Sequence, residues 1–326
     1  MNSFLRLLLL LLVEAAPLAA GYALKARGLA RESWGRPLSR FIIIFINTSV
    51  VLMAAWALQV DWGNVARLLV IGFIFGLSMT AVGKLMSRLH RTDDRADEGA
   101  YIIATPISNF GFTMAGFVAF MLYGRAGISQ QTVYIYPLVL LIYLFWFPLA
   151  RSYGSINVRV PVVKSILMAL TDWTSLPILG TAAGLGLHAA GWALPEALGT
   201  YVLPVFVYGG TMLSMFTIGV TFQPHSVRRY LPQNASIAVS KFLIAPALGL
   251  SLAMALHVTG ISRAVVLICS SAPVGLFSSF AASIFGLNRN MTNALFIVNT
   301  TLYLAVVLPL LFWLLPHFFP AGAVVF

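Results

Sequence analysis

The chain has 326 residues, 60% of them hydrophobic and 9% charged, with a mean hydropathy of +0.92. A soluble protein of that length needs a far larger charged surface, so composition excludes a soluble domain and points to a polytopic membrane protein. The net charge of +11 does not indicate nucleic acid, because the bases stand in short clusters between apolar runs; the lone Cys269 excludes a disulfide framework and a thiolate metal cage.

The first run, MNSFLRLLLLLLVEAAPLAAG, imitates a secretory signal. One base, Arg6, precedes it, whereas five follow: Lys25, Arg27, Arg31, Arg36 and Arg40. That imbalance holds the following loop in the cytoplasm and predicts an uncleaved first helix with its N-terminus outside. Ten apolar spans are predicted, at about 3–24, 38–60, 65–88, 100–123, 132–151, 174–191, 200–222, 232–257, 263–286 and 291–315. Between the fifth and sixth, VPVVKSILMALTDW reads as an interfacial amphipathic helix, within a linker of residues 156–173. With the N-terminus outside, fifteen of the 20 Lys and Arg fall on the cytoplasmic side, four fall outside, and Lys241 lies within span eight. This asymmetry places both termini outside an inner, cytoplasmic membrane. The acidic cluster Asp93, Asp94, Asp97 and Glu98 reads as a solvated cytoplasmic turn.

Residues 1–155 and 174–326 echo each other at an offset of about 160–167 residues. Span two matches span seven, and LYGRAGIS answers IFGLNRNM. Pro106 in span four answers Pro273 in span nine, and Pro148 in span five answers Pro309 in span ten. Five spans per half is an odd number, so the second half is inverted relative to the first. The expected fold is therefore all-α, with two inverted five-helix repeats and broken helices four and nine. Paired broken helices in inverted repeats point to a secondary transporter with its site near mid-membrane.

The segment ATPISNFGF sets Pro106 beside Thr105, Ser108 and Asn109 inside an apolar span. Proline removes a backbone N–H and clashes with the carbonyl one turn back, and in a bilayer such a break survives only where protein or a water-filled cavity covers it. The half-helix that restarts carries partial positive charge at its N-terminus and suits a carboxylate. In span nine, Ser270, Ser271 and Ala272 precede Pro273, and Gly275 follows. Thr105, Pro106, Ser108, Asn109, Ser271, Pro273 and Gly275 are thus candidate substrate-binding residues, with Asn47 and Thr48 of span two as further cavity-lining candidates. Two charges stand within spans. Lys241 either attracts an anion, replaces a coupling sodium ion or snorkels to the cytoplasmic face. Glu14 either carries a coupling proton, pairs with Lys241 or packs in a wet crevice. GFIFG and GTAAG have the spacing of tight helix contacts. His188, His225, His257 and His317 show no metal-ligand spacing, and no nucleotide loop or catalytic set is visible, so no enzyme and no bound cofactor are expected beyond a coupling proton or sodium ion.

SKFLIAPALGL, LPVFVYGGTMLSMFTIGVTF and SSAPVGLFSSFAASIFGLNRNMTNALFIVNTTLYLAVVLPLL resemble the auxin efflux carrier family, most clearly over residues 200–315. The resemblance implies ten helices in two inverted repeats, a scaffold and a transport part, and an elevator-like movement. It also implies a substrate site where helices four and nine cross, with Pro106 and Pro273 as the crossover prolines and Asn109 as the substrate-contacting asparagine. The fourth helix departs from the family pattern, because Ile107 and Ser108 separate Asn109 from the proline. The expected function is secondary transport of a small organic anion, a mono- or dicarboxylate. The partners are that anion, the lipid bilayer and, as a further candidate, a second copy of the chain in a homodimer. A sodium-coupled bile-acid-like symporter, a passive channel and a non-transporting receptor are the alternatives.

Overall fold

The computed structural model describes residues 3–57, 62–90, 94–111, 114–154, 173 and 176–319, without the side chains of 3–11, 14, 62, 63, 125 and 316. The linker 156–172 therefore lies outside the described residues. Those that are described are mostly helical, with no strand among them and one isolated antiparallel bridge between Ser108 and Val274. Six helices among them are long and apolar enough to cross a membrane: Glu32–Trp56, Asn64–His90, Ala126–Tyr153, Leu198–Thr221, Leu231–Ala255 and Arg289–Leu315. The fold is that of a multi-pass membrane protein.

The remaining expected spans take other forms. The first is the 24-residue helix Ser3–Ala26. The sixth is a 14-residue helix, Leu176–Ala189, about 21 Å long at 1.5 Å per residue, shorter than the hydrocarbon core of about 30 Å. Spans four and nine are each divided, into Arg95–Ala104 and Ala115–Gly124, and into Gly260–Ser270 and Leu276–Phe285. The second begins at Glu32, earlier than hydropathy alone places it, because the polar turn Glu32–Trp34 is already wound as a 3₁₀ turn.

Several backbone features recur far apart in the chain. Helix Ser3–Ala26 ends at Gly28 (φ 74°), where Gly28 N–H donates to Lys25 C=O and Leu29 N–H to Leu24 C=O. Helix Leu176–Ala189 ends the same way at Gly191 (φ 75°), where Gly191 N–H donates to His188 C=O and Trp192 N–H to Leu187 C=O. Both are Schellman caps, which need the left-handed conformation that glycine adopts without strain. Gly124 and Gly286, at corresponding places in LYGRAGIS and IFGLNRNM, also have positive φ, 58° and 76°. Five π-helical turns occur among the described residues, at Ile42–Asn47, Ile142–Trp146, Leu198–Val202, Ser240–Ile244 and Tyr303–Val307, and the last four are each followed two residues later by proline: Pro148, Pro204, Pro246 and Pro309. The cause in those four is local. A proline ring collides with the carbonyl four residues before it, and a widened turn swings that carbonyl aside.

The chain divides into two compact units, each drawing on both sequence halves. One comprises Met1–Gln59, Tyr143–Phe222 and Phe280–Arg289; the other comprises Val60–Ile142, Gln223–Ser279 and Asn290–Phe326. In the first unit, Ser3–Ala26 packs on Leu203–Thr221 and Leu176–Ala189 packs on Thr48–Trp56. Glycine sets both distances: a side chain on Gly21 or Gly219 would strike the facing backbone at Phe216 or Leu18, and one on Gly180 would come within 2.9 Å of the Thr48 carbonyl. GTAAG is thus a packing motif. Glu32 pairs with Arg289, and the Arg151 guanidinium lies 5.3 Å from the centre of the Phe285 ring.

In the second unit, Asn64–His90 packs on Arg95–Ala104 and on the helix that begins at Ala126. There Gly72 of GFIFG lies against Tyr134 and Pro137, a packing role again. The acidic cluster is more than a solvated turn. Asp94 caps helix Arg95–Ala104 by accepting the Ala96 N–H at 2.8 Å, and Glu98 takes Lys84 at 2.5 Å. Asp93 lies outside the described residues.

Candidate ligand site at a helix crossover

Helix Arg95–Ala104 starts under its Asp94 cap and is buried from Gly99 to its end. It stops because Pro106 has no N–H to give the carbonyl one turn back. Thr105 Oγ1 donates to Tyr101 C=O at 3.0 Å, so its hydroxyl closes the last turn. The backbone then runs irregularly past Ser108 and Asn109, and a helix resumes at Ala115. The second break has the same order. Helix Gly260–Ser270 ends at Ser271, whose N–H donates to Leu267 C=O, and Leu276–Phe285 begins after Pro273 and Gly275.

The two breaks meet. Asn109 N–H donates to Pro273 C=O at 2.8 Å, and Gly275 N–H donates to Ile107 C=O at 2.9 Å, forming the antiparallel bridge of Ser108 and Val274. Each break satisfies backbone groups that the other leaves open, which lets a non-helical backbone exist inside an apolar protein. Only glycine fits at 275, since a Cβ there would lie 2.5 Å from the Ser108 carbonyl oxygen. Thr105, Ser108, Asn109 and Ser271 are buried, at 0–6% exposure, and all belong to the second unit.

Lys241 completes the site. It stands in the π-helical turn Ser240–Ile244 and is 0% exposed. Its ammonium donates to Ser108 Oγ at 2.6 Å and to Ile107 C=O at 3.2 Å. Snorkelling to the cytoplasmic face is therefore overturned: the side chain turns inward, to the oxygens of the first break. Those oxygens lie just past the C-terminal end of helix Arg95–Ala104, where the helix dipole favours a cation.

Asn47 and Thr48 stand in the other unit. Thr48 Oγ1 donates to Ile43 C=O at 3.3 Å, and its backbone carries the Gly180 contact, so it packs helices. The Asn47 Nδ2 is buried with no hydrogen-bond partner among the described residues. The side chain of Glu14 lies outside the described residues.

Two polar features of this unit escaped the sequence reading. Gln131, fully buried, donates from Nε2 to Phe110 C=O at 2.6 Å and so holds the first break from the helix beside it. Thr292, Asn293 and Asn299 are fully buried on helix Arg289–Leu315, and Tyr303 of that helix stacks on Phe242, the neighbour of Lys241, at 6.4 Å. Their signal was present, as a glutamine pair in GISQQT and the polar run in IVNTT, both inside apolar segments.

No family model matches the chain, and no curated protein matches its sequence. The chemistry on offer at the crossover is therefore read from its groups alone. It presents an ammonium, hydroxyls, an amide and the starts of two half-helices, with no carboxylate between Gly99 and Gly124 or between Gly260 and Phe285. Such a set favours an anion.

Proposed function

We propose that the chain is a secondary active transporter of a small organic anion, a mono- or dicarboxylate, of the auxin-efflux-carrier kind. The observation that carries this reading is the paired hydrogen-bonding of two proline-broken helices at Ser108 and Val274, with a buried ammonium on one of the breaks. Discontinuous helices crossing in this way are how carriers hold a substrate at membrane depth. In this reading the chain has ten spans in two inverted five-helix repeats. The recurrence of glycine caps at 28 and 191, positive-φ glycines at 124 and 286, and broken helices around 106 and 273 supports it. The termini face outside, the prolines at the breaks are the pivots of the site, and Asn109 is the substrate-contacting amide. Transport proceeds by an elevator-like movement that carries the crossover across the membrane.

The experiment is a melting-temperature screen of the purified protein against small carboxylates, aromatic acids and bile acids, followed by uptake of any hit into proteoliposomes. A ligand that binds only the native state stabilises it by mass action, by about 2.7 kcal/mol at a hundredfold excess over its Kd, and so raises the melting temperature. The expected result is a rise with one anion class that Asn109→Ala abolishes while remaining monodisperse. Undiminished affinity in that variant removes Asn109 from the site. A hit that binds without saturable uptake or counterflow turns the carrier into a receptor.

A further inference from the structure

The inward-turned Lys241 has a chemical reading of its own. Its two acceptors, an unwound backbone carbonyl and a serine hydroxyl, are hard oxygens of the type that ligate a sodium ion in broken-helix carriers. The Ile107 carbonyl is shared, because it accepts the Gly275 N–H at 2.9 Å as well as the ammonium at 3.2 Å. A cation on Ile107 and Ser108 therefore sits on the first break and shares one acceptor, the Ile107 carbonyl, with the second. No carboxylate lies between Gly99 and Gly124 or between Gly260 and Phe285, so a mobile cation would find only dipoles there, and a covalently attached one loses no translational freedom on binding. The π-helical turn, imposed by Pro246, holds the lysine at this point of its helix.

We propose that Lys241 is a tethered cation filling the monovalent-cation position of the crossover, so that this protein assembles its binding site without sodium. The proposal deepens the transport reading and rests on it for the nature of the substrate, but its test needs no substrate. Cutting Lys241 back to alanine removes a propylammonium-sized fragment and leaves the two oxygens behind. The full-length wild type, Lys241→Ala and Lys241→Met are purified, and each is melted in choline, sodium and propylammonium chloride at equal ionic strength.

The wild type is expected to melt at one temperature in all three salts. Lys241→Ala is expected to melt several degrees lower in choline and to regain most of the loss in propylammonium or sodium, by mass action on the vacated position. Lys241→Met, which fills the space with an apolar chain, is expected to stay low in all three. A purely structural lysine would make both variants fall without any cation selectivity, and that result overturns the proposal. Stabilisation of the wild type by sodium over choline also overturns it, because the position would then be open. If Lys241→Ala is monodisperse only when prepared in propylammonium or sodium, that selectivity supports the proposal; failure in every salt overturns it. Loss of the anion reading leaves these outcomes intact, and a negative cation result leaves the anion screen intact.

Discussion

At the crossover, single atoms decide what the chain tolerates. Gly275 is the sharpest case. A methyl group there would meet the Ser108 carbonyl oxygen at 2.5 Å, its carbon at 2.6 Å and the Asn109 nitrogen at 3.1 Å. These are backbone atoms that cannot turn away, so the two strands of the bridge must part and lose their mutual hydrogen bonds. Gly275→Ala is expected to cost about 1–3 kcal/mol by overpacking and to abolish any anion-dependent rise in melting temperature. An alanine variant that melts and binds like the wild type would show that the crossing is looser than this geometry. Sequence reading could find Gly275, because glycine after proline marks a close backbone approach. It could not find the partner of Lys241, since nothing local in SKFLIAP says which of two directions a long side chain takes in an apolar setting. That choice is made by Ser108, 133 residues away. Gln131 was missed for the same reason: its acceptor, Phe110, is a backbone carbonyl opened by a proline in another element.

Among the elements, length and hydropathy made the long spans legible, while the short ones depended on contacts. Leu176–Ala189 has 14 residues, and its place is fixed by Gly180 and Gly184. A side chain at Gly184 would strike the Leu52 carbonyl and come within 2.8 Å of Ala55 Cβ and 3.1 Å of the Trp56 nitrogen. In a membrane such helix pairs are held by close van der Waals packing, with no apolar desolvation between them to compensate for a gap. Gly184→Ala is therefore expected to push the pair apart and lower the melting temperature by about 1–3 kcal/mol worth of stability. Gly186→Ala on the same helix, where added atoms meet open space, is the matched control and is expected to be neutral. Equal behaviour of the two variants would mean that this helix is not held by its glycine face. The π-helical turns were invisible to periodicity. Four of the five become intelligible when seen two residues before a proline, as at Pro246 and Pro309, whereas Ile42–Asn47 has no such proline after it.

For the whole molecule, charge carries information that packing does not. The division into two units mixes the sequence halves, joining Met1–Gln59 with Tyr143–Phe222 in one and Val60–Ile142 with Gln223–Ser279 in the other. No linear feature such as a composition shift marks those boundaries, because the units are made by contacts between distant helices. Orientation, by contrast, is written along the chain in the placement of Lys and Arg. It predicts that the turn at His225, beside Arg228 and Arg229, faces the cytoplasm, and that the turn after Gly191 faces outside. Ala193 and His225 are both exposed, which makes them suitable reporters. The single native cysteine, Cys269, is fully buried and is removed by Cys269→Ala to give a clean background. In that background Ala193→Cys is expected to react with a membrane-impermeant maleimide in intact cells, whereas His225→Cys is expected to react only after permeabilisation. The helix Leu198–Thr221 separates the two positions and is long and apolar enough to span, so the ten-span reading expects one crossing between them. Labelling of both from the same side would remove that crossing and, with it, the inversion on which the two-repeat reading depends. The reverse pattern would keep the crossing but turn the molecule over, and the positive charge would then lie on the outer face.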